Sequence, residues 1–336
     1  MQQRHAPRPL PLFLELVRSV SRTDAKLAAK ALEGLARYER AERLDLRPSR
    51  PNIASAGGAT LRDCGGSGRP VVLVPSLINP PDVLDLDEEV SLADSIAKMR
   101  RHVFLLDWGP ASQRTALDLG GHVEQLLLPL LREIGERPAL IGYCLGGTMA
   151  IAAANIVAVE RVATLAAPWC FRAYPQQTRD SLLRLWESAK APSSELNALP
   201  MEVLQSAFWS LDPQRTVSKF ADFAALEPGS PNVRRFVTLE DWANRGEPLP
   251  YPAARELIED LFGRDLPGSG EWRIGPKAMS DSIACPLLNI TAATDRIAPA
   301  DTAAAGASFE VQSGHVGMIV GSARIKVHEA LAGFLA

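Results

Sequence analysis

The chain has 336 residues, a formal net charge of −3, four cysteines and five histidines. No basic excess exists to neutralise phosphates, which argues against an electrostatic nucleic-acid binder. Four cysteines in a chain this long do not make a disulfide scaffold. A histidine base, if the chain needs one, must be His5, His102, His122, His315 or His328.

Residues 1–50 read as an N-terminal helical extension. Leu10–Val20 and Asp24–Glu42 are rich in Leu, Ala, Lys, Arg and Glu and lack a β-branched cluster. Leu27, Ala31, Leu32 and Leu35 keep one face apolar, as a helix pair packed on a larger body would, or an arm docking on a partner. The stretch Leu10–Val17 is short and carries Glu15, so it reads as a helix start and not as a signal peptide. The longest apolar run, Met149–Val159, contains Asn155 and is too short to span a bilayer.

From residue 51 the rhythm becomes strand, turn, helix. Pro70–Pro75, His102–Asp107, Pro138–Tyr143 and Arg161–Leu165 are short apolar runs, and Cys285–Thr291 and Ser308–Gln312 resume the series. Such runs suit strands buried on both faces of a parallel sheet. Helical patterns lie between them at Glu88–Arg100, His122–Ile134 and Leu145–Val157, and a last one covers Ala323–Leu335. The alternation predicts an α/β fold with a doubly wound, mostly parallel sheet, built from residues 51–168 and 280–336.

Residues 169–279 interrupt it. This insertion is helical, Pro-punctuated and aromatic, and it holds five of the six tryptophans. Its place between late strands predicts a cap over the C-terminal edge of the sheet, where open α/β sheets bind ligands. Its rings suit an apolar, water-excluding lid, and they would also fill a small core of its own.

The most informative segment is Ala139–Met149, a strand followed by G-Y-C-L-G-G and an Ala-rich helix. A G-x-C-x-G between strand and helix is the nucleophile elbow of the α/β-hydrolase fold, with Cys144 in place of serine. Gly142 and Gly146 carry no side chain to collide in that tight turn. Cys144 would sit exposed at a helix N-terminus, whose dipole favours a thiolate. The Leu145 N–H can point at a developing oxyanion. Cys64, Cys170 and Cys285 show no metal-type spacing, and no cofactor is expected.

In this fold the chain order is nucleophile, acid, histidine. That order removes His5, His102 and His122. His328 falls inside the last helix pattern, whereas His315 lies in the Gly-flanked loop Ser313–Gly317 just past a strand. Asp295 lies in the loop after the strand at Leu287–Thr291. Asp301 is the near alternative, expected to open a helix as its N-cap, and Asp281 lies at the wrong edge. Cys144, Asp295 and His315 make a consistent triad: His315 takes the thiol proton, Cys144 attacks an acyl carbon, and Asp295 fixes the imidazole tautomer. A second oxyanion donor is expected near Leu77 or Ile78, in the loop Ser76–Pro81.

These motifs together resemble the polyhydroxyalkanoate synthases, of the α/β-hydrolase superfamily. Val74–Asn79 followed by Val83–Leu86 looks like the family's V-P-x-x-I-N and V-L-D-L segment. His102–Trp108 resembles the next strand, and Gly142–Gly147 the lipase-like box with an acylated Cys. Asp295–Pro299 resembles the D-x-I-x-P acid segment and Ser313–Gly317 the histidine loop. The resemblance runs from about residue 60 to 325, with the motifs in family order. It implies that Cys144 carries a growing 3-hydroxyacyl chain supplied by acyl-CoA, that His315 activates thiol and hydroxyl, that Asp295 assists, and that the Ile78 N–H is the second oxyanion donor. It implies a cytoplasmic protein on polyester granules, as a homodimer or beside a second, non-catalytic subunit such as the family's short catalytic chains use. Two departures stand out. Ser76–Leu77 replaces the usual Pro-Trp, and the insertion matches only loosely, at Asp241–Asn244. A polyester depolymerase or other Cys-dependent hydrolase, and a non-catalytic granule protein, remain rival readings. The separation of Asp295 from Cys144 argues against the compact dienelactone hydrolases.

Overall fold

The structure, a computed structural model, describes residues 5–42 and 47–336. Residues 1–4 and 43–46 of the expected N-terminal extension lie outside the described residues. In chain order, α1 (Leu10–Ser21) and α2 (Ala25–Glu39) lead to β1 (Asn52–Ala56), β2 (Ala59–Gly66) and β3 (Pro70–Val74). Then come α3 (Leu92–Ala97), β4 (His102–Asp107) and α4 (residues 119–133). The elbow follows as β5 (Ala139–Tyr143) and α5 (Leu145–Ile156), then β6 (Val162–Leu165). The insertion contributes α6 (Gln176–Glu195), α7 (Met201–Leu211), α8 (Pro213–Ala224), α9 (Pro231–Asn244) and α10 (residues 251–263). The chain closes with β7 (Leu287–Ala292), β8 (Ala307–Val311) and α11 (Arg324–Leu335). Within α4 the turns widen to a π-helix at His122–Leu127, just before Pro129, which has no N–H to give the helix ladder.

One eight-stranded sheet has the order β1-β2-β4-β3-β5-β6-β7-β8. From β4 to β8 all pairings are parallel, whereas β1–β2 and β2–β4 are antiparallel. The central strands β3 and β5 are buried along their whole length, which is why they read as continuous apolar runs. The sequence did not mark the β1–β2 hairpin. Its strands are Ala-, Ser- and Gly-rich and carry few β-branched residues, so no strand pattern stands out.

The chain divides into two compact units. One comprises Arg47–Leu199 and Glu247–Ala336 and holds the sheet. The other comprises Met1–Leu46 and Pro200–Gly246. The middle of the insertion therefore packs with the N-terminal helices, while its two flanks pack with the sheet. The reason is local. The apolar stripe Ala28, Ala31, Leu35 and Tyr38 on α2 needs a partner and finds it on α8, in a core with Phe13, Trp209, Phe220 and Phe223. The two backbones meet at Gly34. A Cβ there would stand 1.9 Å from the Phe220 carbonyl oxygen, so only glycine allows the approach. Among the described residues no helix is long and apolar enough to cross a membrane.

Candidate active site

The sheet unit brings Cys144, Asp295 and His315 together at the C-terminal ends of β5, β7 and β8. Cys144 stands between β5 and α5 at φ 54°, ψ −132°, a conformation that costs a non-glycine residue free energy. Close packing holds it there. The Cys144 N–H donates to the Leu165 carbonyl at 2.9 Å, and the Gly147 N–H to the Cys144 carbonyl at 2.8 Å. Gly146 lies flat on the end of β3. A Cβ there would come within 2.2 Å of the Val74 oxygen and 2.4 Å of the Pro75 oxygen. Leu145 is the first residue of α5, so no carbonyl a turn earlier in the helix uses its N–H.

The acid and the base are laced together by the loops that carry them. The Ala293 N–H donates to the Val311 carbonyl at 3.0 Å, and the Thr294 N–H to the Ser313 carbonyl at 2.9 Å. These bonds continue the parallel pairing of Ala292 with Val311 past the strand ends. The Asp295 carboxylate is fully enclosed and uses both oxygens. Its Oδ1 accepts from the Ile297 N–H at 2.7 Å and the Ala298 N–H at 2.9 Å, an Asx turn that explains the D-R-I-A spacing. Its Oδ2 lies 2.7 Å from His315 Nδ1. That contact places the Nδ1 proton toward the carboxylate and leaves Nε2 as the ring nitrogen available to the thiol, with which the imidazole interacts electrostatically. Burial alone would lower the His315 pKa. The facing Cys144 and Asp295 charges outweigh it and push the imidazole up to about 10.

The other sequence-marked residues lie elsewhere. His328 is on α11, where burial and nearby Arg324 and Lys98 lower its pKa. Asp301 is exposed inside a short 3-10 turn, Ala300–Thr302, and does not cap it; Pro299 occupies that position. Asp281 accepts from the Ala305 N–H at 2.8 Å. Ile78 is buried in the loop after β3, and its carbonyl accepts from the Glu247 N–H at 3.1 Å. Two tyrosines were not singled out from sequence. The Tyr143 ring lies 5.1 Å from the His315 ring, and the Tyr174 hydroxyl donates to the Ile297 carbonyl at 2.7 Å, bracing the Asp295 turn. Tyr143 stood inside the elbow motif, one residue before Cys144. Tyr174 was marked only as one of the aromatics of the insertion, with nothing to link it to Asp295.

A mostly parallel sheet, an antiparallel hairpin at one edge and a strained Cys between β5 and α5 define an α/β-hydrolase fold. Epoxide Hydrolase A from Mycobacterium thermoresistibile has the same fold, with a TM-score of 0.52 at 18% identity, over 86% of this chain and 98% of that one. No family model matches the chain. Its sequence is similar to those of proteins named poly(3-hydroxyalkanoate) polymerase subunits. It is 25% identical over 293 residues to the poly(3-hydroxyalkanoate) polymerase subunit PhaC of Haloarcula marismortui, covering 80% of this chain and 61% of that protein. It is 25% identical over 289 residues to the subunit of that name from Allochromatium vinosum, covering 79% of this chain and 80% of that one. The chain thus spans about three-fifths of the Haloarcula relative's length.

Proposed function

We propose that this chain is an acyltransferase that polymerises 3-hydroxyacyl-CoA into polyhydroxyalkanoate through a thioester on Cys144. The observation that carries the reading is the Asp295–His315 pair at 2.7 Å, with its imidazole against the elbow thiol, in a chain similar in sequence to proteins named poly(3-hydroxyalkanoate) polymerase subunits. In the first half-reaction the thiol gives its proton to His315 Nε2 and the sulfur adds to the acyl carbon of the CoA thioester. The CoA sulfur then leaves with that proton. One thioester replaces another, so loading is close to isoenergetic. In the second half, His315 accepts the proton of a 3-hydroxyl group, whose oxygen displaces the Cys144 sulfur and forms an oxyester; the imidazolium returns the proton to that sulfur, and the step is downhill. Asp295 holds the Nδ1 proton throughout and stabilises the imidazolium.

Each tetrahedral intermediate carries an oxyanion, which the Leu145 and Ile78 N–H groups would stabilise. No cofactor is required by this chemistry. We place the protein's work in the cytoplasm at a polyester granule, as a homodimer or with a second subunit. Water must be kept from the acyl-enzyme, and the aromatic flanks of the insertion are suited to that.

The test is to supply purified protein with 3-hydroxybutyryl-CoA and analyse CoA and acyl products together. Polyester accompanying CoA release supports the proposal. Free hydroxy acid in step with CoA would make the protein a hydrolase, and absence of CoA release even with a candidate second subunit added would weaken both enzymatic readings.

A further inference from the structure

The loop after β3 has its carbonyls fastened from one side. Trp108, just past β4, donates its indole N–H to the Pro75 carbonyl at 2.9 Å. Arg114, further along the same segment, reaches the Leu77 carbonyl with Nη2 at 3.5 Å. The Glu247 N–H holds the Ile78 carbonyl at 3.1 Å, and the Glu247 carboxylate accepts from the Ala111 N–H at 2.5 Å. In the sheet, β4 and β5 flank β3 on opposite sides. Trp108 directly follows β4, and the Arg114 guanidinium is tied to Gly109, two residues past β4, so both pull from the side away from the elbow.

A trans peptide is planar, with its C=O and N–H pointing in opposite directions. The Leu77 carbonyl and the Ile78 N–H belong to one such plane. A donor on the β4 side that captures the carbonyl turns the N–H toward the β5 side, where Cys144 stands. We infer that Arg114 is a positioning residue for the second oxyanion donor: by holding the Leu77 carbonyl it aims the Ile78 N–H at the acyl oxygen on Cys144. This inference rests on the acyl-transfer reading above.

The surroundings of Arg114 fit such a task. Its side chain is buried and makes its hydrogen bonds with neutral groups alone among the described residues. Nε donates to the Gly109 carbonyl at 3.2 Å, and Nη1 faces His122 Nε2 at 3.2 Å. His122 Nδ1 lies 2.6 Å from the Asp118 carbonyl, so its proton sits there and Nε2 is free to accept. Burial, with Arg114 beside it, keeps that ring neutral by pushing its pKa down to about 4. The bond to Leu77 is long, but the guanidinium, which the Glu247 and Asp107 carboxylates also face electrostatically, still orients a peptide dipole in this buried site. It also polarises the N–H at the far end of the same peptide.

The experiment uses the full chain with Arg114→Met and Arg114→Lys. Three rates are read: CoA release from 3-hydroxybutyryl-CoA, 4-nitrophenol release from 4-nitrophenyl acetate, and alkylation of Cys144 by iodoacetamide. The first two pass through an oxyanion, whereas alkylation is a displacement at carbon and does not. Arg114→Met is expected to lower kcat in both acyl assays by about 100-fold, with KM changed less than about threefold and alkylation within about twofold of wild type. Arg114→Lys should recover part of the loss. An unchanged kcat, or acyl transfer and alkylation falling together, would overturn the inference. If wild-type protein uses the ester but not the CoA thioester, the substrate reading fails while the ester assay still decides the role of Arg114.

Discussion

The two compact units draw on the same aromatic-rich stretch of sequence and use it differently. In the unit of Met1–Leu46 and Pro200–Gly246, rings pack on rings. Phe13 lies 4.6 Å from Phe220, and Phe223 stacks on Phe236 at 4.1 Å. Tyr38 there also donates its hydroxyl to Asp241 at 2.7 Å. In the sheet unit the polar ends of the rings are used too, one of them at a catalytic loop. Tyr174 braces the Asp295 turn through Ile297, Trp272 donates to Glu256 at 2.6 Å, and Trp186 donates to Glu259 at 2.8 Å. An aromatic excess read from sequence thus does not tell a lid from a core. What separates them is the target of the polar group: Tyr174 reaches the Asp295 loop, whereas Tyr38, Trp186 and Trp272 bond to carboxylates of the insertion.

That contrast can be broken experimentally. The largest effect is expected at Asp295→Asn, which keeps the shape of the turn but loses the charge facing His315. Acyl transfer should fall by about 10⁴-fold, by analogy with the loss of the acid in other triads. The His315 pKa, followed by NMR titration, should drop from about 10 toward its ordinary range. A small rate loss would remove Asp295 from the triad.

In the other unit the expected effect is on stability. Phe220 is fully buried, and Phe220→Ala should cost about 3–5 kcal/mol in denaturant unfolding. A loss below about 1 kcal/mol would mean that these rings do not form a tight core.

A smaller effect concerns pH. Glu256 accepts from the Leu119 and Gly120 N–H groups as well as from Trp272. Its burial raises the pKa from 4.5 to about 6. The folded state therefore binds a proton more readily than the unfolded chain. The stability this adds is fully present below pH 4.5 and is lost as pH rises through 6, a change of roughly 2 kcal/mol. Measured at pH 7.5 and again at pH 4.5, the stability of Glu256→Gln relative to wild type should be about 2 kcal/mol better at the higher pH. A difference that does not vary with pH would contradict that environment.

Much of the sheet and the residues of the site were legible because their constraints are local. Gly146 must lie flat on β3, Asp295 must be followed by two free N–H groups, and chain order left only His315 and His328, of which His315 stood in a loop just past a strand. Other features depend on contacts distant in sequence. Nothing in Asp24–Glu42 says that its apolar stripe will meet α8, which is why the insertion read as one body. Nothing near Arg114 says that its guanidinium will reach Leu77. The β1–β2 hairpin was missed for a different reason, since its small residues carry no strand signal.

The central claim is that Cys144 becomes acylated. It is tested most directly by mixing the protein with 3-hydroxybutyryl-CoA, quenching in acid and locating the adduct by peptide mass spectrometry. The account predicts a 3-hydroxybutyryl thioester on the peptide containing Cys144, extended by further hydroxybutyryl units as turnover proceeds, and absent in Cys144→Ala. CoA release with no adduct on Cys144, or turnover retained by Cys144→Ala, would contradict it.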